Sequence, residues 1–197
     1  MKIKMFSMVL LVLSSCFTNA QAAVISVDTL PGLPTIEGSR NIMTSTPFSV
    51  DILITDVADF SGFEFDLFFD SSILKALSIT SGDIFGTDTF GLENSVNSSS
   101  VRLSEFSTAI DEGINITTAN VLASVSFEVV GFGISALTLN NIILSDSLGS
   151  EITANTLQNG QIDSKVTIPD PNPLFLFMMS FLAIFFWAQK NTAYKSL

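Results

Sequence analysis

Histidine is absent from the 197-residue sequence, and cysteine, tryptophan and tyrosine occur once each, as Cys16, Trp187 and Tyr194. The stretch 23–165 therefore contains none of these four residue types. Their absence there excludes Ser-His-Asp and Cys-His nucleophile systems, His or Cys zinc sites, haem ligation and disulfide bonds. Only carboxylate chemistry or oxygen-ligated calcium remains, so we expect a protein that is not an enzyme.

Basic residues are also scarce, since 8 Lys and Arg against 19 Asp and Glu give a formal net charge of −11. All 19 acidic residues lie between Asp28 and Asp170, and only four of the basic residues share that span. An acidic surface repels phosphate backbones, so we expect no nucleic-acid partner. The acidity itself favours solubility, with cation binding as a second interpretation.

Residues 1–22 have the features of a secretory signal peptide. Two lysines precede an apolar run at positions 5–13, and Ala20-Gln21-Ala22 supplies a small-x-small pattern that predicts cleavage before Ala23. A second interpretation is a lipobox, Leu-Ser-Ser-Cys, which would leave a lipidated Cys16 as the new N-terminus. Both interpretations predict export.

Residues 23–165 are predicted to form one domain of β-strands. Residues 123–129 and 63–67 alternate apolar and polar side chains without a break. Because successive side chains of a strand point to opposite faces, each stretch buries one face and exposes the other. Seven further strands are predicted, at 24–28, 48–55, 78–80, 101–106, 135–139, 142–144 and 158–163. About nine short strands separated by turn residues predict an all-β antiparallel sandwich of jelly-roll or immunoglobulin-like type.

Three local predictions complete this picture. Residues 71–77 have the only helical pattern, of one or two turns, and the Asp-Phe-Ser-Gly sequence at 59–62 predicts a turn. Eleven phenylalanines are expected mainly to fill the core: Phe48, Phe60, Phe63, Phe65, Phe68, Phe69, Phe85, Phe90, Phe106, Phe127 and Phe132. Phe68 is out of phase with its alternating neighbours, so we predict that it is the exposed one and a candidate binding residue.

The order of these segments resembles a cohesin-type domain. The opening half is FSVDILITDVADFSGFEFDLFFD at 48–70, followed by Ile-Leu at 73–74 and Gly-Asp at 82–83; the closing strands are LASVSFEV, GISALTL and IILSD within 122–146. The resemblance covers roughly 24–163 and implies a nine-stranded jelly-roll sandwich related to carbohydrate-binding modules. Its best-known members bind dockerin modules through one sheet face, with the calcium held by the dockerin. It therefore implies a protein-binding module, without assigning individual contact residues.

Three other functions are weighed against this one. A polysaccharide-binding module would need a flat aromatic face for stacking, and the domain lacks Trp and Tyr, which leaves Phe68 or a loop phenylalanine for that role. A glycan hydrolase would need two opposed carboxylates in a cleft, which a sequence cannot show. A calcium site could use Asp51, Asp56 and Asp59, although they do not form the usual calcium-loop pattern.

The C-terminal residues 166–197 read differently from the acidic domain. Pro169-Asp170-Pro171 precedes an apolar run at 174–188, and two lysines follow that run. As a helix the run would rise roughly 22 Å and would be apolar on every side, which predicts a membrane segment. Lysines behind the run would stay in the cytoplasm, with the domain outside.

This tail resembles a PEP-CTERM sorting signal, in which Pro-Glu-Pro, an apolar helix and a basic cluster are recognised by an exosortase. Pro169, Asp170 and Pro171 stand in the motif position, with Asp170 in place of Glu. The resemblance implies a membrane-anchored intermediate, followed by delivery to the cell surface or extracellular matrix of a Gram-negative bacterium. The sequence as a whole predicts an exported, non-enzymatic interaction module of that surface or matrix.

Overall fold

The computed structural model describes residues 23–109 and 112–165. The predicted signal peptide and the predicted sorting tail lie outside the described residues, and so do Cys16, Ala20, Ala22, Pro169, Asp170 and Pro171. Within the described residues there are thirteen strands in two sheets: β1 Ala23–Asp28, β2 Ser39–Ile42, β3 Phe48–Thr55, β4 Val57–Phe68, β5 Leu74–Ser81, β6 Thr89–Val96, β7 Ser100–Ser107, β8 Ile114–Ile116, β9 Asn120–Val129, β10 Gly133–Asp146, β11 Glu151–Ile152, β12 Ala154–Gln158 and β13 Gly160–Ser164.

The smaller sheet has five strands in the order β12-β1-β3-β9-β5. β1 and β12 are parallel, and the other neighbours are antiparallel. The alternation of buried and half-buried residues along β9 shows that one face of this sheet packs against the core. Val125, Phe127 and Val129 are buried, whereas Ser126 and Glu128 between them are half-buried on the outer side.

The larger sheet has eight strands. Six follow the order β2-β13-β10-β4-β7-β6, while β8 pairs with β4 and β11 pairs with β10. β4 and β10 pair from Phe68 and Thr138 at one end to Phe60 and Asp146 at the other. The register shifts after Asn140, where the next residue, Asn141, has a φ of 51°. This β-bulge joins the predicted strands at 135–139 and 142–144 into one long strand.

The core lies between the two sheets and is rich in phenylalanine. Phe60, Phe63, Phe65 and Phe85 form a run of stacked rings whose centroids lie 5.3 to 6.2 Å apart. A second aromatic group surrounds the fully buried Phe127, which stacks on one neighbouring ring and meets another edge-on. The prediction of an all-β sandwich with an aromatic core is therefore confirmed.

The predicted helical turn at 71–77 was wrong. Asp70 instead begins a tight turn, in which the Ser72 backbone N–H and hydroxyl donate to its carboxylate at 2.8 and 2.6 Å. β5 then starts at Leu74, and its apolar residues Leu74, Ala76 and Ile79 are buried against the other sheet. Tertiary burial on alternate residues outweighs the weak helical pattern.

The predicted turn at 59–62 was also wrong, because these residues lie inside β4. Asp59 has a φ of 54°, and the register with β8 shifts between Val57 and Phe60. The strand therefore accommodates the turn-forming residues in a β-bulge and continues beyond them. Gly62 is needed for contact with neighbouring strands, since a Cβ there would lie 2.6 Å from Ser145 Oγ and 3.2 Å from Phe106 Cβ.

The assignment of phenylalanines to the core needs three corrections. Phe90, Phe106 and Phe132 are 54%, 38% and 71% exposed. The number of strands also exceeds the prediction of about nine, because β2, β6, β8, β11 and β12 are too short or too exposed to show a sustained alternation. No helix of the described part is long and apolar enough to cross a membrane.

Candidate functional site

The outer face of the larger sheet carries charged and apolar side chains from several strands. On β4, Phe63, Phe65 and Leu67 face the core, so Glu64, Asp66 and Phe68 face outward with Gly62. The register with β7 places Arg102 opposite Asp66 and Phe106 opposite Gly62. Side chains from four strands, β6, β7, β4 and β10, therefore meet on one open surface. We call it the β6–β10 face.

An ion network occupies the middle of the β6–β10 face. Arg102 donates a hydrogen bond to Glu64, and its Nε lies 3.7 Å from an Asp66 carboxylate oxygen and 3.2 Å from one of Glu93. The Asn141 side-chain amide donates to the second Asp66 oxygen. The hydrogen bond to Glu64, followed by the charge of Asp66, raises the pKa of Arg102. We call these residues the arginine cluster.

A group of apolar side chains lies beside the arginine cluster. Phe90 and Leu92 of β6, Phe106 of β7 and Ile143 of β10 are 54%, 65%, 38% and 52% exposed. These four residues are the apolar patch of the face. The rings of Phe90 and Phe106 pack at 5.4 Å with a tilt of 45°.

Three of the four residues of the apolar patch, all except Phe90, line a shallow depression of about 170 Å³. Gly62 lines it together with Leu92, Phe106 and Ile143. Leu92 belongs to the irregular part of β6, where the register with β7 shifts between Gly91 and Glu93. The bulge and the glycine therefore leave room for an inserted side chain between exposed apolar walls.

Contiguous exposed apolar side chains next to a fixed arginine are typical of protein–protein contact surfaces. The arginine and the aromatic residues are types that contribute strongly to such contacts. Each of the three carboxylates of the cluster is paired with Arg102. The arrangement can bind a complementary surface.

Among the residues singled out from the sequence, Phe68 lies on the β6–β10 face. It ends β4 between Ser100 and Thr138 and is 39% exposed. A role for Phe68 in binding stays a prediction. Ala23, the predicted first residue after cleavage, begins β1 and is fully buried.

The apolar patch and the arginine cluster were missed by sequence reasoning. One signal was available, since Phe106 alternates in phase with Arg102 and Ser104 and out of phase with the buried Val101 and Leu103. The other contributions could not be seen, because Leu92 and Ile143 come together only through the pairing of distant strands.

Two of the three aspartates considered for calcium accept hydrogen bonds within the domain, and Asp56 is exposed between β3 and β4. Asp51 accepts a hydrogen bond from Ser124 at 2.6 Å, and Asp59 accepts hydrogen bonds from the Gly113 N–H and Ser147 hydroxyl at 3.1 and 3.0 Å. In residues 23–109 and 112–165, no three Asp, Glu, His or Cys side chains are grouped so that they could hold a metal ion.

Comparison with known proteins shows the fold. No protein-family model and no curated protein matches the sequence. Among solved structures, a non-cellulosomal cohesin from the archaeon Archaeoglobus fulgidus matches with a TM-score of 0.57 and 15% identity, over 73% of this chain and 91% of that one. A type I cohesin in complex with its dockerin from Clostridium thermocellum matches with a TM-score of 0.56 and 17% identity, over 73% and 99%.

A third similar structure is the sixth cohesin of scaffoldin B from Acetivibrio cellulolyticus, in complex with a mutant dockerin. It has a TM-score of 0.56 and 16% identity, over 73% of this chain and 99% of that one. At these identities the likeness establishes the cohesin-like sandwich fold of this chain.

Proposed function

We propose that this protein is an exported, non-catalytic interaction module that binds a protein partner through the β6–β10 face. The apolar patch is the observation that carries the proposal. Four large apolar side chains stand 38% to 65% exposed on an acidic domain, and three of them line one depression. Exposure of this kind has a cost in water that burial against a partner removes.

The chemistry of the face defines what the partner must offer. An apolar side chain would enter the depression beside Leu92 and Ile143, and polar or basic groups would meet the carboxylates of Glu64 and Glu93. The arginine cluster already restricts the side chains of these carboxylates. Binding of a partner therefore costs little further side-chain entropy. Two of the cohesins of similar structure were solved in complex with dockerins, which supports a protein partner of comparable kind.

The test is capture of partners from the envelope and medium of the native host, followed by mass spectrometry. We compare the wild-type domain with Ile143→Asp, which introduces a charge at the edge of the depression, and with Leu148→Asp as a matched control. Leu148 is 80% exposed in the turn after β10, away from the apolar patch. We expect a specific partner whose capture falls roughly tenfold with Ile143→Asp, as a contact worth about 1.4 kcal/mol implies, and is unchanged in the control.

Equal capture of every bound protein by the wild type and Ile143→Asp would contradict a role for the face. The same samples test the polysaccharide alternative if the host exopolysaccharide is included. Retention of polysaccharide that disappears with Phe68→Ala would favour sugar binding instead. The 45° tilt between Phe90 and Phe106 gives no flat stacking surface at the apolar patch.

The delivery of the module is a separate part of the proposal. We propose a secretory signal peptide at 1–22, transient anchoring through 174–188 and processing of the tail at Pro169-Asp170-Pro171 by an exosortase-type enzyme. Mass spectrometry of both termini of the native protein tests this. A start at Ala23 and an end near 169–171 are expected, whereas a lipidated Cys16 or an intact Leu197 in the surface-exposed protein would contradict it.

A further inference from the structure

The two ends of the sandwich are distinguished by where the chain enters and leaves it. β1 starts at Ala23, opposite Ala154 of the parallel strand β12. β12 and β13 then run in the same direction along the sandwich, and the described chain ends at Lys165. Lys165 donates its backbone N–H to the Ile42 carbonyl at 2.9 Å. We call the end with Lys165 the tail end and the opposite one the far end.

Exposed apolar side chains surround the point where the chain leaves the tail end. Met43 follows directly after Ile42, and Phe132 directly precedes Gly133, which pairs with Ser164. Met43, Phe132 and Ile134 are 73%, 71% and 61% exposed. We call these three residues the tail-end rim. They lie outside the apolar patch of the β6–β10 face, so the proposed protein partner does not explain them.

Charge is distributed unevenly between the ends. Seven described carboxylates lie on the loops and strand ends of the far end: Asp56, Asp59, Asp83, Asp88, Glu112, Asp146 and Glu151. All four described basic residues lie in the other half: Arg40, Lys75, Arg102 and Lys165. At the tail end Asp163 is paired with Lys165 at 3.4 Å, Lys75 lies opposite Glu128, and Asp70 in the turn after β4 adds one further carboxylate. The tail end is therefore the less acidic end.

The sequence limits how far the tail end can lie from a membrane that holds the tail. Eight residues, 166–173, separate Lys165 from the apolar run at 174–188. Even a fully extended chain of eight residues reaches at most about 28 Å. With the run inserted in a bilayer, the rim therefore stays within reach of the lipid surface.

We propose that the tail-end rim rests on the bilayer interface while the chain is anchored, with Phe132 and Met43 among the lipid headgroups. Aromatic and apolar side chains with a lysine beside them suit that interface. Anionic headgroups would repel the far end and so favour the same orientation. The inference rests on the membrane anchoring proposed above.

The experiment uses the full chain with Cys16→Ser, so that one introduced thiol is the only one. Phe132→Cys places a fluorescent label on the rim, and Leu148→Cys places the same label on the far end as a control. Each protein is incubated with vesicles of phosphatidylcholine and phosphatidylglycerol, with or without bromine on the acyl chains near the headgroup. Flotation first shows whether the chain is inserted, and circular dichroism shows that each variant is folded.

We expect brominated lipid to lower the fluorescence of the label at position 132 about twofold and to leave the label at 148 unchanged. Equal quenching of the two labels in floating protein would overturn the rim contact and leave the anchoring intact. The lipid contact of the rim would also be overturned if the label at position 132 were shielded from water but not quenched by brominated lipid. In that case the chain's own apolar run or a second copy of the protein would cover the rim. Failure to float would overturn the anchoring and the inference together.

Discussion

Replacing Phe60 with alanine tests the core on which the β6–β10 face is built. The sequence pattern places Phe60 in a turn, whereas in the structure its ring is fully buried and stacks on Phe85 at 5.3 Å and on Phe63 at 6.2 Å. Truncation of a buried phenylalanine costs about 3–5 kcal/mol, from lost transfer free energy and from the cavity that remains. Two aromatic pairs, each worth about 0.5–1.5 kcal/mol beyond burial, place the expected loss in the upper half of that range.

The free energy of unfolding is measured by guanidinium titration of the 23–165 segment. Far-UV circular dichroism is the readout, because the segment contains no Trp or Tyr. Phe90→Ala is the matched control, since Phe90 is 54% exposed and its truncation should cost less than about 1 kcal/mol. A loss below about 1 kcal/mol for Phe60→Ala would contradict the burial of Phe60 in β4 and would favour the turn predicted from the sequence.

Two further predictions concern charged groups. Arg102→Ala should lower the midpoint of thermal unfolding more than Lys165→Ala does. The side chain of Asp66 is only 9% exposed and loses its cationic partner, whereas the Lys165 pair is exposed. Equal effects of the two substitutions would contradict a structural role for the arginine cluster. Hydrogen bonds from the Ser72 hydroxyl and backbone lower the pKa of Asp70 below 3.8. The ionised carboxylate therefore contributes to the stability of the fold above that pH, and this contribution is lost as the pH falls through the lowered pKa. Asp70→Asn should therefore unfold more easily than the wild type at about pH 6, and the difference should shrink as the pH falls through the lowered pKa, which thermal unfolding over a series of pH values measures.

The strands that a sequence can reveal are those with one buried face. β9 and the second half of β4 alternate strictly because each lies between neighbours on both sides and covers the core. β6 has no such alternation, since it is an edge strand that is exposed along almost its whole length. Its pairing with β7, rather than its own composition, makes it a strand.

The candidate site was hidden for a related reason. Arg102, Glu64 and Glu93 are brought together only by the register of three strands, and a shift of one residue would place Arg102 in the core. Gly62 and Asp59 predict a turn by residue type, but long-range pairing keeps them in β4 as a bulge and a close contact. Gly62, a position where local preference and fold disagree, also lines the depression.

The two exposed apolar surfaces differ in position as well as in surroundings, and this difference assigns them separate roles. β4 and β10 run between the far end and the tail end, so the β6–β10 face stands along the sandwich rather than across its end. A domain held with its tail end on a bilayer would present this face sideways, open to a partner in solution. Covering the tail-end rim with lipid would therefore leave the apolar patch free, and capture of a partner through Leu92 and Ile143 should proceed equally well before and after release of the tail.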